Sequence, residues 1–190
     1  MIEKLWNRLE TWARAHQPAM LEDLNPGASD ADLALLQDSL DVQLPPAFIQ
    51  SLQVHNGEND GWPYKVFAGH GAYLPVEAIL KNWNLRNQVA LQMVEFQDQL
   101  DAEVASGART MEVHGPVKAV SFRPGWVPFM DCNSDIFWAM DFDPADGGIA
   151  GQIIEVDFEG GSWRVISKSF EDFFSAYIEG LEMSKADQKL

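Results

Sequence analysis

Between Trp126 and Phe170 the chain alternates strand-length apolar runs with strong turn formers, and no other feature limits its possible folds as much. The runs are Trp126–Met130, Ile136–Phe142, Gln152–Phe158 and Trp163–Ser167. They are parted by an Asp/Asn/Ser turn at 131–135, an Asp-Pro and Asp-Gly-Gly loop at 143–148, and Glu159-Gly160-Gly161-Ser162. Successive strands joined in this way read as an antiparallel meander. In the third run Ile154, Val156 and Phe158 share one face while Glu155 and Asp157 point the other way, the alternation of a half-buried strand. Arg164 and Lys168 likewise alternate with Val165. Gly160-Gly161 tolerates the positive φ angles of a tight hairpin. Ser169 then caps a helix whose Phe170, Phe173, Phe174, Tyr177 and Leu181 would cover the apolar face of the sheet. One more apolar run, Val117–Phe122, is expected as a strand ahead of the four.

Helices precede the meander. Ile2, Leu5, Leu9 and Trp12 recur at helical spacing, and the segment ends near His16 and Pro18. Ser29 is the natural N-cap of a second helix, with Asp30 and Asp32 in the first turn and Leu33, Leu36 and Leu40 on its apolar face. Pro46 opens a third through Phe48, Ile49 and Leu52, which ends at His55-Asn56-Gly57, where Asn or Gly supplies the left-handed residue. Tyr64–Phe67 and Ala72–Leu74 are short candidate strands. A long helix follows, carrying Val76, Ile79, Leu80, Trp83, Val89, Met93, Phe96, Leu100 and Val104, and its pattern slips between Asn82 and Asn87, where a bend is expected. An exposed loop is expected around Gly107.

The 190 residues include 29 acidic and 13 basic ones, a net charge of −16. A field of that sign repels nucleic-acid phosphates and anionic lipid and speeds encounter with basic partners, although solubility alone accounts for many acidic chains. The single cysteine, Cys132, excludes an internal disulfide and a cysteine-built zinc site. The N-terminus has no signal-peptide pattern, and no apolar run approaches the roughly 20 residues that span a bilayer. A cytoplasmic location is expected.

Nothing in the sequence assembles a catalytic motif. His16, His55, His70 and His114 include no helical i, i+4 pair, and loop histidines ordinarily stabilise turns. Asp131-Cys132-Asn133-Ser134-Asp135 starts like a calcium loop, but Ile136 takes the place of the turn glycine and Phe142 that of the bidentate glutamate. An Asx-rich turn explains the same residues. Asp141, Asp143 and Asp146 could pair as acid and base only in a cleft that raised one pKa. Cys132 has no neighbouring cation in sequence to activate it, and Gly69-x-Gly71 lacks the rest of a dinucleotide loop. Trp62 and Trp126 lie beside turns, as interface anchors can, but core packing is the simpler reading.

Several short motifs recur in a familiar order: Leu44-Pro45-Pro46-Ala47-Phe48, His55-Asn56-Gly57, Trp126-Val127-Pro128-Phe129, Asp141-Phe142-Asp143-Pro144, Gly151-Gln152-Ile153-Ile154 and Ser169-Phe170-Glu171-Asp172-Phe173-Phe174. In that order the chain resembles the SUKH superfamily, in the branch that holds the fungal cell-wall assembly regulators and their bacterial relatives. Where the family commonly has Gly-Asn or Gly-Asp after the Trp-x-Pro strand, this chain has Asn133-Ser134-Asp135, so a wider turn is expected. The resemblance implies an α+β fold and a non-catalytic role. Bacterial members are similar to immunity proteins that neutralise a cognate toxin, and fungal members look like scaffolds for wall synthesis.

The expectations are therefore these. The chain is one α+β domain over residues 1–190, with a core at about 24–181 and a polar tail at 182–190. A central antiparallel meander carries N-terminal helices and a C-terminal helix packed on the sheet. No catalytic residue, cofactor or metal is expected. The favoured partner is a basic toxin, met by Asp131, Asp135, Asp141, Asp143, Asp146, Glu155 and Asp157 on loops or on the polar face of the sheet. The alternative is a regulator or scaffold of cell-wall assembly with several weak partners.

Overall fold

A computed structural model describes residues 1–59, 66–67, 71–106, 111–133 and 135–186, with the backbone alone at 95, 96, 100, 101, 104, 105, 185 and 186. Trp62, Tyr64 and Lys65 of the Tyr64–Phe67 run, His70, the loop around Gly107, Ser134 and the last four residues of the tail lie outside that description.

Helix α1 spans Ile2–His16 and buries Ile2, Leu5, Trp6, Leu9 and Ala13, one stripe at helical spacing. A short α2, Ala19–Asp23, follows Pro18 and was not evident from periodicity. Helix α3, Asp30–Ser39, starts in a capping box: the Asp32 N–H donates to Ser29 Oγ and the Ser29 N–H donates to Asp32 Oδ2. Helix α4, Pro46–Val54, has its proline in the first turn, where the missing N–H costs no hydrogen bond.

The next four residues organise the turn into the sheet. Gly57 adopts φ +69°, and a Cβ there would lie 2.3 Å from Pro75 N and 2.6 Å from Leu74 C. The buried Glu58 carboxylate accepts the N–H groups of Tyr73 at 2.8 Å and Val66 at 3.2 Å. Asn56 Oδ1 accepts the Val76 N–H at 2.8 Å and so starts the next helix.

That helix, α5 (Val76–Gln92), runs unbroken through Asn82–Asn87. The expected bend is displaced to Met93, after which α6 spans Val94–Ala105. Asn82 bonds back along the helix to Ala78 O, so its amide supports the helical path.

Among the described residues six strands form one sheet: β1 (Ala72–Tyr73), β2 (Glu112–His114), β3 (Trp126–Asp131), β4 (Ile136–Asp141), β5 (Gln152–Asp157) and β6 (Ser162–Ser167), in the order β1-β3-β4-β5-β6-β2. The β3-β4-β5-β6 meander is antiparallel as expected, whereas β2 joins β6 in parallel. Pro128 sits beside a bulge in β3, one of the few places a sheet admits proline. Helix α7, Phe170–Ala186, begins at Ser169, whose Oγ accepts the Asp172 N–H at 3.1 Å.

Both faces of the sheet are packed. On one, Val127, Phe129, Trp138, Met140 and Ile153 meet α1, α3, α4 and the Phe170, Phe174 and Ile178 side of α7. On the other, Trp126, Phe137, Ala139, Ile154, Val156 and Trp163 are covered by Val117 and Phe122. The expected strand at Val117–Phe122 is instead irregular. Val117 and Val120 donate to carbonyls two residues back, Gly115 O and Lys118 O. Other carbonyls of this cover are taken by side chains: Gln152 Nε2 donates to Pro116 O, Trp163 Nε1 to Val120 O and Trp83 Nε1 to Pro124 O. These bonds, at Val120 and on both sides of the apolar run, tie it to the sheet and to α5 without a ladder partner. No helix among the described residues is long and apolar enough to cross a membrane.

Candidate functional site

Helix α5 crosses the second face of the sheet only partly in contact with it. Asn82, Leu85, Arg86, Val89, Ala90 and Met93 recur at i, i+3, i+4, i+7, i+8 and i+11 and so share one side of the helix. Opposite them stand Phe158 and Trp163, with Met111 and Phe122 also lining the gap. The result is a mainly apolar groove of about 420 Å³. Leu85 is 55% and Val89 41% exposed, although an amphipathic reading of this helix puts Val89 in the core. The groove was missed in the sequence. Its available signal is that α5 carries more apolar residues than one buried stripe uses, with Leu85, Val89 and Leu91 all exposed.

Arg86 is only 9% exposed. Its guanidinium lies 3.8 Å over the Phe137 ring and Nη2 donates to Asp131 Oδ1 at 3.1 Å. Burial pushes Arg86 down from its ordinary pKa, and Asp131 opposes the shift. Arg86 is thus a held charge, occupied by its own chain.

The seven acidic residues singled out in the sequence do not form one surface. Asp131 and Asp135 flank the β3–β4 turn, close to Asp157 and Glu155 on β5, since Ile136 pairs with Asp157 and Trp138 with Glu155. Asp141, Asp143 and Asp146 lie at the opposite end of β4, roughly 17 Å away at strand rise. Most are engaged internally. Glu155 accepts from Trp138 Nε1 at 2.7 Å and pairs with Arg164, and Asp157 accepts the Gly160 N–H in the hairpin turn. Asp143 pairs with Lys118 and Arg123, which hold its carboxyl below the usual carboxylate range. Asp135 and Asp146 are exposed. The face bearing Glu155 and Asp157, expected to be polar, is the one on which α7 packs: Trp138 and Phe173 make an edge contact at 5.3 Å.

Asp141 is fully buried. It accepts the Asp143 N–H at 2.9 Å and Gln152 Nε2 at 3.0 Å, while Gln152 also bonds Ile149 N and Pro116 O. Burial pushes its carboxyl above the ordinary value, against those hydrogen bonds. Asp141→Asn would set an amide donor against Gln152 Nε2, which cannot turn without losing its other bonds. A loss of about 1–3 kcal/mol is expected in urea unfolding. A raised folded pKa means that ionisation of Asp141 costs stability, a cost absent below the unfolded pKa. The deficit of the variant should therefore widen as pH falls through the folded pKa of Asp141 towards about 3.9.

The remaining candidates are structural. His55 lies between Asn25 O (3.0 Å) and Glu10 Oε1 (3.1 Å) and stacks edgewise on Trp6, tying α1 to the turn after α4. His16 Nδ1 contacts Trp12 O at the end of α1, and His114 is exposed on β2. Asn133 Oδ1 accepts the N–H groups of Asp135 and Ile136, the Asx arrangement that explains this turn without calcium. Burial, then the Asp131 charge, pushes the Cys132 thiol up, away from nucleophilic character. Among the described residues no three His, Cys, Asp or Glu side chains converge on a point that could hold a metal.

A sequence model described as the SMI1 / KNR4 family (SUKH-1) matches residues 27–176. Among curated proteins, the "Cell wall biosynthesis/cell cycle regulator smi1" of Schizosaccharomyces pombe is 27% identical over 187 residues, covering 97% of this chain and 37% of its own length. The "Glucan synthesis regulatory protein" of Neurospora crassa is 25% identical over 207 residues, covering 97% and 39%. "KNR4/SMI1 homolog 2" of Debaryomyces hansenii is 26% identical, covering 96% and 36%. The chain thus spans under two fifths of the length of these relatives.

Proposed function

The chain belongs to the SMI1 / KNR4 family (SUKH-1), and on that premise we propose that it is a non-catalytic protein-binding module that regulates or scaffolds cell-wall assembly from the cytoplasm. One observation carries the reading: proteins named as regulators of cell-wall biosynthesis and of glucan synthesis align with 97% of this chain. The apolar groove beside α5 supports it, because exposed, contiguous apolar side chains suit a protein partner. The net charge of −16 favours a protein over nucleic acid. Neutralisation of a basic toxin, the first expectation from charge and the bacterial side of the resemblance, finds no support in the names of these relatives, and the regulatory reading takes precedence.

Deleting the gene in its own host tests this. The deletion strain should lose wall glucan and grow poorly on wall-binding dyes, and the full chain should restore both. An intact wall, together with one stoichiometric basic partner that is toxic when expressed alone, would return the protein to the neutralising class.

A further inference from the structure

We propose that the groove between α5 and the β5–β6 end of the sheet receives a short segment of a partner protein, one bulky apolar side chain flanked by lysine or arginine. This deepens the protein-binding reading and rests on it. The walls supply the apolar half of the match. Leu85 and Val89 stand exposed on α5, and Met93 and Met111, with adaptable thioether side chains, line the gap with Trp163. A space of about 420 Å³ lies within the range of clefts that enclose a ligand group.

Charge supplies the other half. Asp135 lines the groove and is exposed. Glu159 is exposed in the same turn as the lining residue Gly161. The cation in the groove, Arg86, is held by Asp131, so the lip presents negative charge to an incoming segment. A second copy of this chain is a poor occupant, because each copy carries −16 and would bring its own acidic lip to the same place. A basic segment gains from the lip what another copy loses, and a neutral apolar molecule gains nothing from it.

The test uses the whole chain with isotope-labelled methionine methyls and three synthetic peptides: a tryptophan flanked by lysines, the same peptide with alanine for tryptophan, and the same peptide with glutamates for the lysines. The first peptide should move the Met93 and Met111 methyl signals. Val89→Glu should weaken it at least about tenfold, as loss of an anchor contact does. Asp135→Lys should weaken it about threefold or more, and so should raising salt from about 50 to 500 mM. Leu91→Glu, on an exposed residue outside the groove, should bind like the parent, and unchanged spectra of the unliganded variants show that each is folded. Equal binding of the alanine or glutamate peptide, no binding of any, or signals moving elsewhere would overturn the proposal. The two readings fail separately. If the peptides fail while the gene deletion still weakens the wall, the groove proposal falls alone. If the wall is unaffected while the groove binds as described, the regulatory reading falls alone.

Discussion

A fragment limited to residues 27–176, the extent of the family match, is expected to show no cooperative unfolding transition. Such a fragment lacks α1, whose Ile2, Leu5, Trp6 and Leu9 belong to the main core with Phe48, Phe129 and Phe174. Burial of each large side chain contributes about 1.5–3 kcal/mol, so four of them are comparable with the whole 5–15 kcal/mol that typically holds a domain together. The cut also falls inside α7. It removes Tyr177, whose hydroxyl donates to Val66 O at 2.7 Å, and the fully buried Ile178. Within the full chain Trp6→Ala isolates the main contact. It would open a cavity beside Phe174, whose ring centroid lies 4.9 Å from that of Trp6, and remove the Trp6 Nε1 bond to Ser51 Oγ. A cost of about 3–5 kcal/mol is expected. Denaturant titration followed by tryptophan fluorescence measures both, and a sharp, full-amplitude transition for the fragment would show that α1 is dispensable.

Gly57→Ala should cost at least about 3 kcal/mol, from a left-handed backbone at φ +69° and from overpacking against Leu74 and Pro75. Gly161 is the control. It has φ +65° but nothing within 4 Å of a Cβ, so Gly161→Ala should show the backbone part alone, about 1–2 kcal/mol. The difference between the two midpoints measures how tightly the turn after α4 is pressed onto the start of α5. Equal losses would mean that Leu74 and Pro75 yield to the methyl group.

Gly57 also marks how far the sequence could be read. His55-Asn56-Gly57 announces a helix end and a left-handed residue, and both are present because the signal is local. The meander strands, the Ser29 and Ser169 caps and the hairpin at Gly160-Gly161 are legible for the same reason. Val117–Phe122 is different: its apolar pattern is the same whether the Val120 carbonyl faces a strand or the indole of Trp163. Strand β2, three exposed residues added in parallel, carries no alternation to detect. The spread of the acidic residues over both ends of β4 is not legible, because charge in a sequence does not reveal its partner. Asp143 meets a lysine 25 positions away and Asp131 an arginine 45 away. The groove is hidden because the spacing of α5 offers one apolar side, which takes in Val89 and leaves Leu85 and Leu91 out.

The irregular cover at 115–124 bears on divergence. It takes no part in the strand ladder and is held by side-chain bonds from Gln152, Trp163 and Trp83 and by the pairing of Lys118 and Arg123 with Asp143, yet its Ser121 and Phe122 form part of the groove. Apart from the buried Val117 and Phe122, residues can be exchanged there while every strand register stays in place. A change in this one loop would therefore reshape a wall of the groove while the sheet stays as it is.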